Sequence, residues 1–172
     1  MSEEQQLLEY IKDNFYTDII EREGLFVWKV RRRGIRFGRE AGTLRCQGYK
    51  DIQINGKSYG AHRLVWLWIY KKFPDNQIDH IDGDEANNHI SNLRDVTHRE
   101  NARNKRIPRN NKSGVIGVSW YRHTQRWRVQ INTSTQKKKT IGYFKSKSEA
   151  IRARKEAELE FGYHQNHGRV SA

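Results

Sequence analysis

The sequence has a single cysteine, Cys46, among 172 residues, which excludes an internal disulfide framework and a cysteine-rich zinc site. Any metal the chain uses must therefore sit on oxygen and imidazole. Long apolar runs are also missing: the longest, Leu64 to Tyr70, is seven residues. A membrane helix needs roughly 20, so no span is expected. The opening residues, Met-Ser-Glu-Glu-Gln-Gln, are acidic and lack the charged leader and apolar core of a secretory signal, so a cytoplasmic protein is expected. Hydrophobic residues are scarce at 35%, against 31% charged, yet 11% are aromatic. That composition argues against wholesale disorder and fits two modest cores better than one large one.

What is abundant is positive charge, with 33 Lys and Arg against 20 Asp and Glu. Residues 1 to 24 hold two basic and seven acidic side chains, residues 25 to 98 hold thirteen and eight, and residues 99 to 172 hold eighteen and five. A basic C-terminal half is the footprint of polyanion binding, because each neutralised phosphate releases condensed counterions. Nucleic acid is the expected partner, with neither a membrane nor a small-molecule substrate.

Leu7, Leu8, Ile11 and Phe15 fall at helical spacing, predicting an acidic N-terminal helix within residues 1–24 that packs on the core or on a partner. Short aromatic and β-branched runs follow at Leu25 to Trp28, Gly42 to Leu44, Gly48-Tyr49 and Asp51 to Ile54, predicting small antiparallel strands. Asn55-Gly56 signals a tight hairpin. Ala61 to Lys72 reads as a buried helix ending near Pro74. Gln77 to Gly83, a polar loop Asp84 to Asn92, and Leu93 to Val96 read as strand, loop, strand. Thr97 with Glu100 is a capping box for a helix reaching about Arg106. A basic linker spans residues 108–113. Three strands then follow at Gly117 to Arg122, Arg126 to Thr133 and Lys139 to Phe144, and a helix from Lys147 to Phe161 is opened by the capping box Ser146/Glu149 and stopped by Gly162. The fold class is α+β, with one domain at 25–107, a second at 114–162, and a loose polar tail at 163–172.

The site expected from this text is the strand, loop, strand, helix unit. Asp79 and His80 are adjacent on a strand, and Asn101 lies one turn into the helix. If the hairpin packs on that helix, Asp79 and Asn101 supply two hard oxygens, which suits magnesium or manganese better than zinc. Imidazole suits a general base near neutral pH. Arg94, Arg99, Arg103 and Lys105 stand nearby to steady phosphates. His62 reads as a packing or hydrogen-bonding residue, and His89 and His98 as border residues within reach of phosphate. His123, His164 and His167 are expected to face solvent, and Trp28, Trp66, Trp68 and Trp127 to be core.

Asp79-His80-Ile-Asp-Gly83, Asn87-Asn88, Ser91-Asn92-Leu93-Arg94 and Glu100-Asn101-Ala-Arg-Asn104 resemble the ββα-metal site of HNH homing endonucleases of the phage subgroup with asparagine at the third position. Asn55 to Trp66 resembles the segment that precedes it there. The resemblance covers roughly residues 25 to 106. It implies that His80 deprotonates the attacking water, that Asp79 and Asn101 hold one divalent ion, and that Asn92 braces the loop and orients His80 by a hydrogen bond. Asn104 is the alternative ligand, one turn along the same helix face. Cleavage would leave a 5′ phosphate and a 3′ hydroxyl.

In the second β run, Trp127, Val129 and Ile131 fall on one face, while Arg126, Arg128, Gln130 and Asn132 fall on the other. Ser119, Tyr121, Lys138 and Thr140 extend that polar row, suited to phosphates and base edges. Gly117-Val-Ser-Trp120, Trp127 to Ile131, Ile141 to Phe144 and the alanine-rich helix resemble the ethylene-response-factor (Apetala-type) DNA-binding domain over residues 113 to 162. That resemblance implies a three-stranded sheet in the major groove of double-stranded DNA. A monomeric endonuclease, nicking or cutting both strands, is the expected function. A non-cleaving DNA-binding regulator and a nonspecific or structure-specific nuclease are the alternatives.

Overall fold

The computed structural model describes residues 1–31, 34, 37–103, 107–108, 110–133, 137–163 and 167–168, without the side chains of residues 99, 102 and 103. The chain forms two compact units, Met1–His98 and Arg99–Ala172. The division falls ahead of the basic 108–113 segment. The class is α+β, with each unit built on its own core. No helix of the described residues is long and apolar enough to cross a membrane.

The first unit opens with two helices where the periodicity predicts one: α1 (Glu3–Asn14) and α2 (Thr17–Glu23). The break has a packing cause. Phe15 leaves the helix in an extended conformation, pairs with Trp28 in an isolated bridge, and buries its ring fully against Phe26 and Trp28. The segment Leu25 to Trp28 thus forms bridges to Phe15 and Glu40 but no strand of its own. A three-stranded antiparallel sheet follows, in the order β1 (Thr43–Leu44), β2 (Lys50–Ile54), β3 (Lys57–Gly60). Asn55 and Gly56 join β2 to β3 with positive φ at both positions, as a tight hairpin requires.

At the centre of this unit is α3 (Ala61–Tyr70), which packs against α1, α2, β2 and β3. It ends at Tyr70, two residues before the expected Lys72, and Lys71 caps it in a left-handed conformation. Ile11, Phe15, Ile52, Leu64 and Leu67 form the core, and the aromatic rings of Trp28, Trp66 and Trp68 pack against it. The acidic N-terminal helices are spent inside the unit. Glu4 Oε1 accepts the Phe73 N–H at 2.8 Å, Glu21 accepts from the Trp68 indole at 3.1 Å, and Glu3 accepts from Lys57 and the Tyr59 hydroxyl.

Beyond α3 lies a two-stranded antiparallel hairpin, β4 (Gln77–His80) and β5 (Leu93–Val96), joined by a loop that closes with a 3-10 turn at Ile90–Asn92. The helix α4 (His98–Arg103) follows, and residues 104–106, to which it was expected to extend, lie outside the described residues.

The second unit carries β6 (Val118–Tyr121), β7 (Arg126–Asn132) and β8 (Lys138–Phe144) as one antiparallel sheet in sequence order, with α5 (Lys147–Glu160) packed across it. Ser146 and Glu149 close the capping box that opens α5. Val118, Val129 and Ala150 make the centre of the core, flanked by Trp127, Ile141 and Phe144. Small Ala150 lets the helix sit close on the sheet. The expectation for His167 is overturned: it is 6% exposed, because it packs against Arg154 and the Tyr163 ring. His123 is exposed, and His164 lies outside the described residues.

Candidate functional site

The β4–β5 register places Asp79 opposite Arg94 and His80 opposite Leu93. Both site residues are buried, Asp79 at 7% and His80 at 3% exposure. A buried carboxylate needs a charge partner, and cross-strand geometry supplies one. Arg94 donates to Asp79 Oδ2 from Nε at 2.9 Å and from Nη2 at 2.5 Å. Arg94, expected to face phosphate, is therefore committed to Asp79.

His80 Nε2 lies 3.0 Å from Asn88 Oδ1. An amide oxygen only accepts, so in the neutral ring this pairing puts the proton on Nε2 and leaves the lone pair, which a general base needs, on Nδ1. The orienting amide differs from the expected one, since Asn88 holds the imidazole and Asn92 does not. Asn92 instead makes its hydrogen bonds within the loop. Its Oδ1 accepts the Asp82 N–H at 3.0 Å, and its Nδ2 donates to Asp82 Oδ1 at 2.9 Å and to the Asn87 carbonyl at 2.8 Å. Asn87 Nδ2 reaches Asp82 Oδ2 at 2.7 Å. Partial burial raises the pKa of Asp82, but the Asp84 N–H and the Asn87 and Asn92 amides outweigh it and hold the carboxyl below its usual range. The loop is thus knitted by polar side chains, and what it presents to the strand end is Asn88.

Asn88 rests in turn on the α2 C-terminus. Gly24 ends α2 in a left-handed conformation (φ 69°), and a Cβ there would lie 2.2 Å from the Asn88 carbonyl oxygen. Neither Gly24 nor Asn88 was singled out from the sequence for this role. The Gly that ends a helix is a recognisable signal, but its neighbour across the fold is not.

A second imidazole adjoins the first. His62, on the first turn of α3, has its ring centroid 5.5 Å from that of His80 in an edge-to-face arrangement, and Tyr49 touches both rings. Burial, and then the neighbouring His80, depress the pKa of His62 from 6.5 to about 4. Above pH 6.5 His62 is neutral in both the folded and the unfolded chain and has no effect on the balance. Between pH 6.5 and about 4 the unfolded chain binds a proton that the folded chain refuses. Stability is therefore expected to fall through that window by about 2–3 kcal/mol and to level off below it. Urea denaturation of wild type and His62→Phe from about pH 7 to about pH 4 checks this: the variant should lose that part of the slope, and identical slopes would refute it.

The remaining expected residues divide by placement. Asn101 lies on α4 in the second compact unit. Arg99 and Arg103 are on the same helix with side chains outside the described set, and Lys105 and Asn104 lie outside the described residues. His89 caps the 3-10 turn, accepting from the Ser91 N–H at 3.3 Å, and His98 is exposed. Among the described residues no cluster of three or more His, Cys, Asp or Glu could hold a metal ion. A magnesium-type ion needs less, since it keeps most of its waters and takes one or two protein oxygens. The buried Asp79 carboxylate fits that demand in chemistry, and a hard oxygen donor without thiolate or imidazole companions does not fit zinc.

On the second unit's sheet the register brings together the row read from periodicity. Ser119 and Tyr121 pair with Arg128 and Arg126, while Gln130 and Asn132 pair with Thr140 and Lys138. Arg126, Ser119, Asn132, Lys138 and Thr140 are exposed. The Arg128 guanidinium stacks 5.0 Å over the Tyr121 ring, and Gln130 Nε2 donates to Thr140 Oγ1 at 3.3 Å. One member of the row was missed. A register shift between Val129 and Gln130 brings Tyr143 opposite Arg128, with its ring 5.6 Å from that of Tyr121. Strict alternation along β8 cannot anticipate a bulge.

Residues 59–103, from β3 to the end of α4, match the family model described as HNH endonuclease. Over 76 residues the chain is 43% identical to "Protein 3.8" of Escherichia phage T7, an alignment covering 44% of this chain and 63% of that protein. The chain thus spans less than two thirds of that relative's length. No solved structure matches the chain. Residues 59–103 are thus similar to HNH endonucleases.

Proposed function

We propose that the chain is a metal-dependent DNA endonuclease of the HNH homing type, hydrolysing phosphodiester bonds at a site read by the C-terminal sheet. The observation that supports it most is the His80–Asn88 hydrogen bond at 3.0 Å beside Asp79, inside the segment matched by the family model.

Phosphodiester hydrolysis needs an attacking water stripped of a proton, and charge stabilisation where the leaving 3′ oxygen becomes anionic. His80 takes the proton on Nδ1. Asn88, by accepting from Nε2, fixes the tautomer and the ring plane, and Asn92 holds the loop that carries Asn88. Asp79 and Asn101 would hold the divalent ion, magnesium or manganese, which when bound supplies positive charge for the leaving oxygen. Arg94 holds the Asp79 carboxylate in place by two hydrogen bonds to its Oδ2. Basic side chains of the second unit, Arg126, Arg128 and Lys138 among them, draw in the polyanion. Products carry a 5′ phosphate and a 3′ hydroxyl.

The test is incubation of the purified chain with double-stranded phage and host DNA, in magnesium, in manganese and in chelator, with both strands' ends mapped. Cleavage in either metal, silenced by chelator and leaving 5′ phosphates, is the expected result. Absence of metal-dependent cleavage on every DNA tried would overturn the proposal and leave the regulator reading in its place.

A further inference from the structure

Among the described residues of the second unit the most buried charge is Arg154 on α5, 2% exposed. Its guanidinium makes contacts in three directions. Nε donates to Glu158 Oε1 at 3.0 Å, Nη2 lies 3.2 Å from His167 Nε2, and Nη1 crosses to the sheet to donate to the Gln130 carbonyl at 2.7 Å. Buried ion pairs are poor stabilisers, since an apolar side chain of the same volume often does as well or better. What distinguishes this one is the backbone atom it grips.

Gln130 sits at the register shift of β7 against β8. Its N–H donates to the Gly117 carbonyl at 2.8 Å, while its carbonyl accepts from Arg154. Gly117, at φ 81°, comes so close that a Cβ there would lie 2.3 Å from the Gln130 oxygen and 3.0 Å from Arg154 Nη1. One residue of the strand is thus held by the loop before β6 and by the helix behind the sheet at once. The extra residue of the bulge, Ile141, lies on the neighbouring strand β8, so β7 is clamped at the point where its partner strand is irregular. The Gln130 side chain emerges on the polar face, where Thr140 Oγ1 takes one amide N–H.

We propose that Arg154 is a positioning residue for DNA sequence choice: from behind the sheet, through the Gln130 carbonyl, it fixes the direction of the Gln130 amide, a group suited to bidentate contact with adenine. Glu158 and His167 hold the guanidinium in that role. The inference rests on the reading of this sheet as the DNA-facing surface.

The test uses the full chain in chelator, so that DNA is bound and not cut, with selection from a randomised double-stranded library and sequencing of the bound fraction. Wild type is compared with Gln130→Ala, Arg154→Met and Arg154→Lys, each also followed by thermal melting. Gln130→Ala should abolish a roughly ten- to hundredfold preference at one or two adjacent base positions and leave the others intact. Arg154→Met should flatten the same positions while melting cooperatively and binding unselected DNA within about threefold of wild type. Should Arg154→Met fail to fold, Arg154→Lys, which keeps the charge but loses the fork, carries the same expectation in weaker form. Arg154 variants that keep the wild-type preference at the Gln130 positions, or that weaken all positions evenly, would overturn the inference. Unchanged preference in Gln130→Ala overturns it while leaving the sheet as a reader. A wild-type chain with no base preference overturns both.

Discussion

Replacing His80 with alanine should lower the cleavage rate by about 10²–10⁴-fold, the usual contribution of a positioned general base, while DNA affinity changes by less than about threefold. The separation between rate and binding follows from where the imidazole sits. It is 3% exposed at the end of β4 in the first unit, bonded to Asn88 and packed on His62 and Tyr49, whereas the basic row proposed to meet DNA lies on the second unit's sheet. Single-turnover cleavage in magnesium, with binding measured separately in chelator, decides the matter. Wild-type rates in the variant would remove His80 from the chemistry. An equal loss in rate and in affinity would make it a structural residue.

The second large effect is expected at a position with no chemistry of its own. Gly24→Ala forces a side chain into the left-handed region, at a cost of about 1–2 kcal/mol, and drives it into the Asn88 backbone, where a Cβ finds an oxygen at 2.2 Å and a carbon at 2.4 Å. Overpacking of this kind costs about 1–3 kcal/mol more. A loss of about 2–5 kcal/mol in urea unfolding is therefore expected, together with slower cleavage, because the segment displaced is the one that orients His80. A stability change below about 0.5 kcal/mol would mean that the loop gives way freely and that Gly24 does not seat it.

Much of this arrangement is legible in the sequence, and the parts that are not share a cause. The Asn55-Gly56 hairpin, the β4–β5 pair around Asp79 and His80, and the Ser146/Glu149 capping box are local, set by residues within a few positions of one another. The helix expected within residues 1–24 is present as α1 but ends at Asn14 and gives way to a second helix, because burial of Phe15 against Phe26 and Trp28 outweighs helical continuity, and that burial is long-range. Assigning the His80 hydrogen bond to Asn92 fails for a related reason: several asparagines crowd one short loop, and only its folded path determines which amide meets the imidazole. Tyr143 joins the polar row because β8 spends an extra residue opposite Val129, and no periodicity announces it.

The contact between Gly24 and Asn88 also sets an order of events. In a chain made from its amino end, the seat emerges well before the loop that will occupy it. Once β5 has been synthesised, the imidazole has its full set of supports without any residue of the basic half. The supports of the imidazole and the basic sheet are thus acquired at different moments of translation. A ribosome stalled before the sheet would hold a chain whose base is already aimed but whose destination is not yet written.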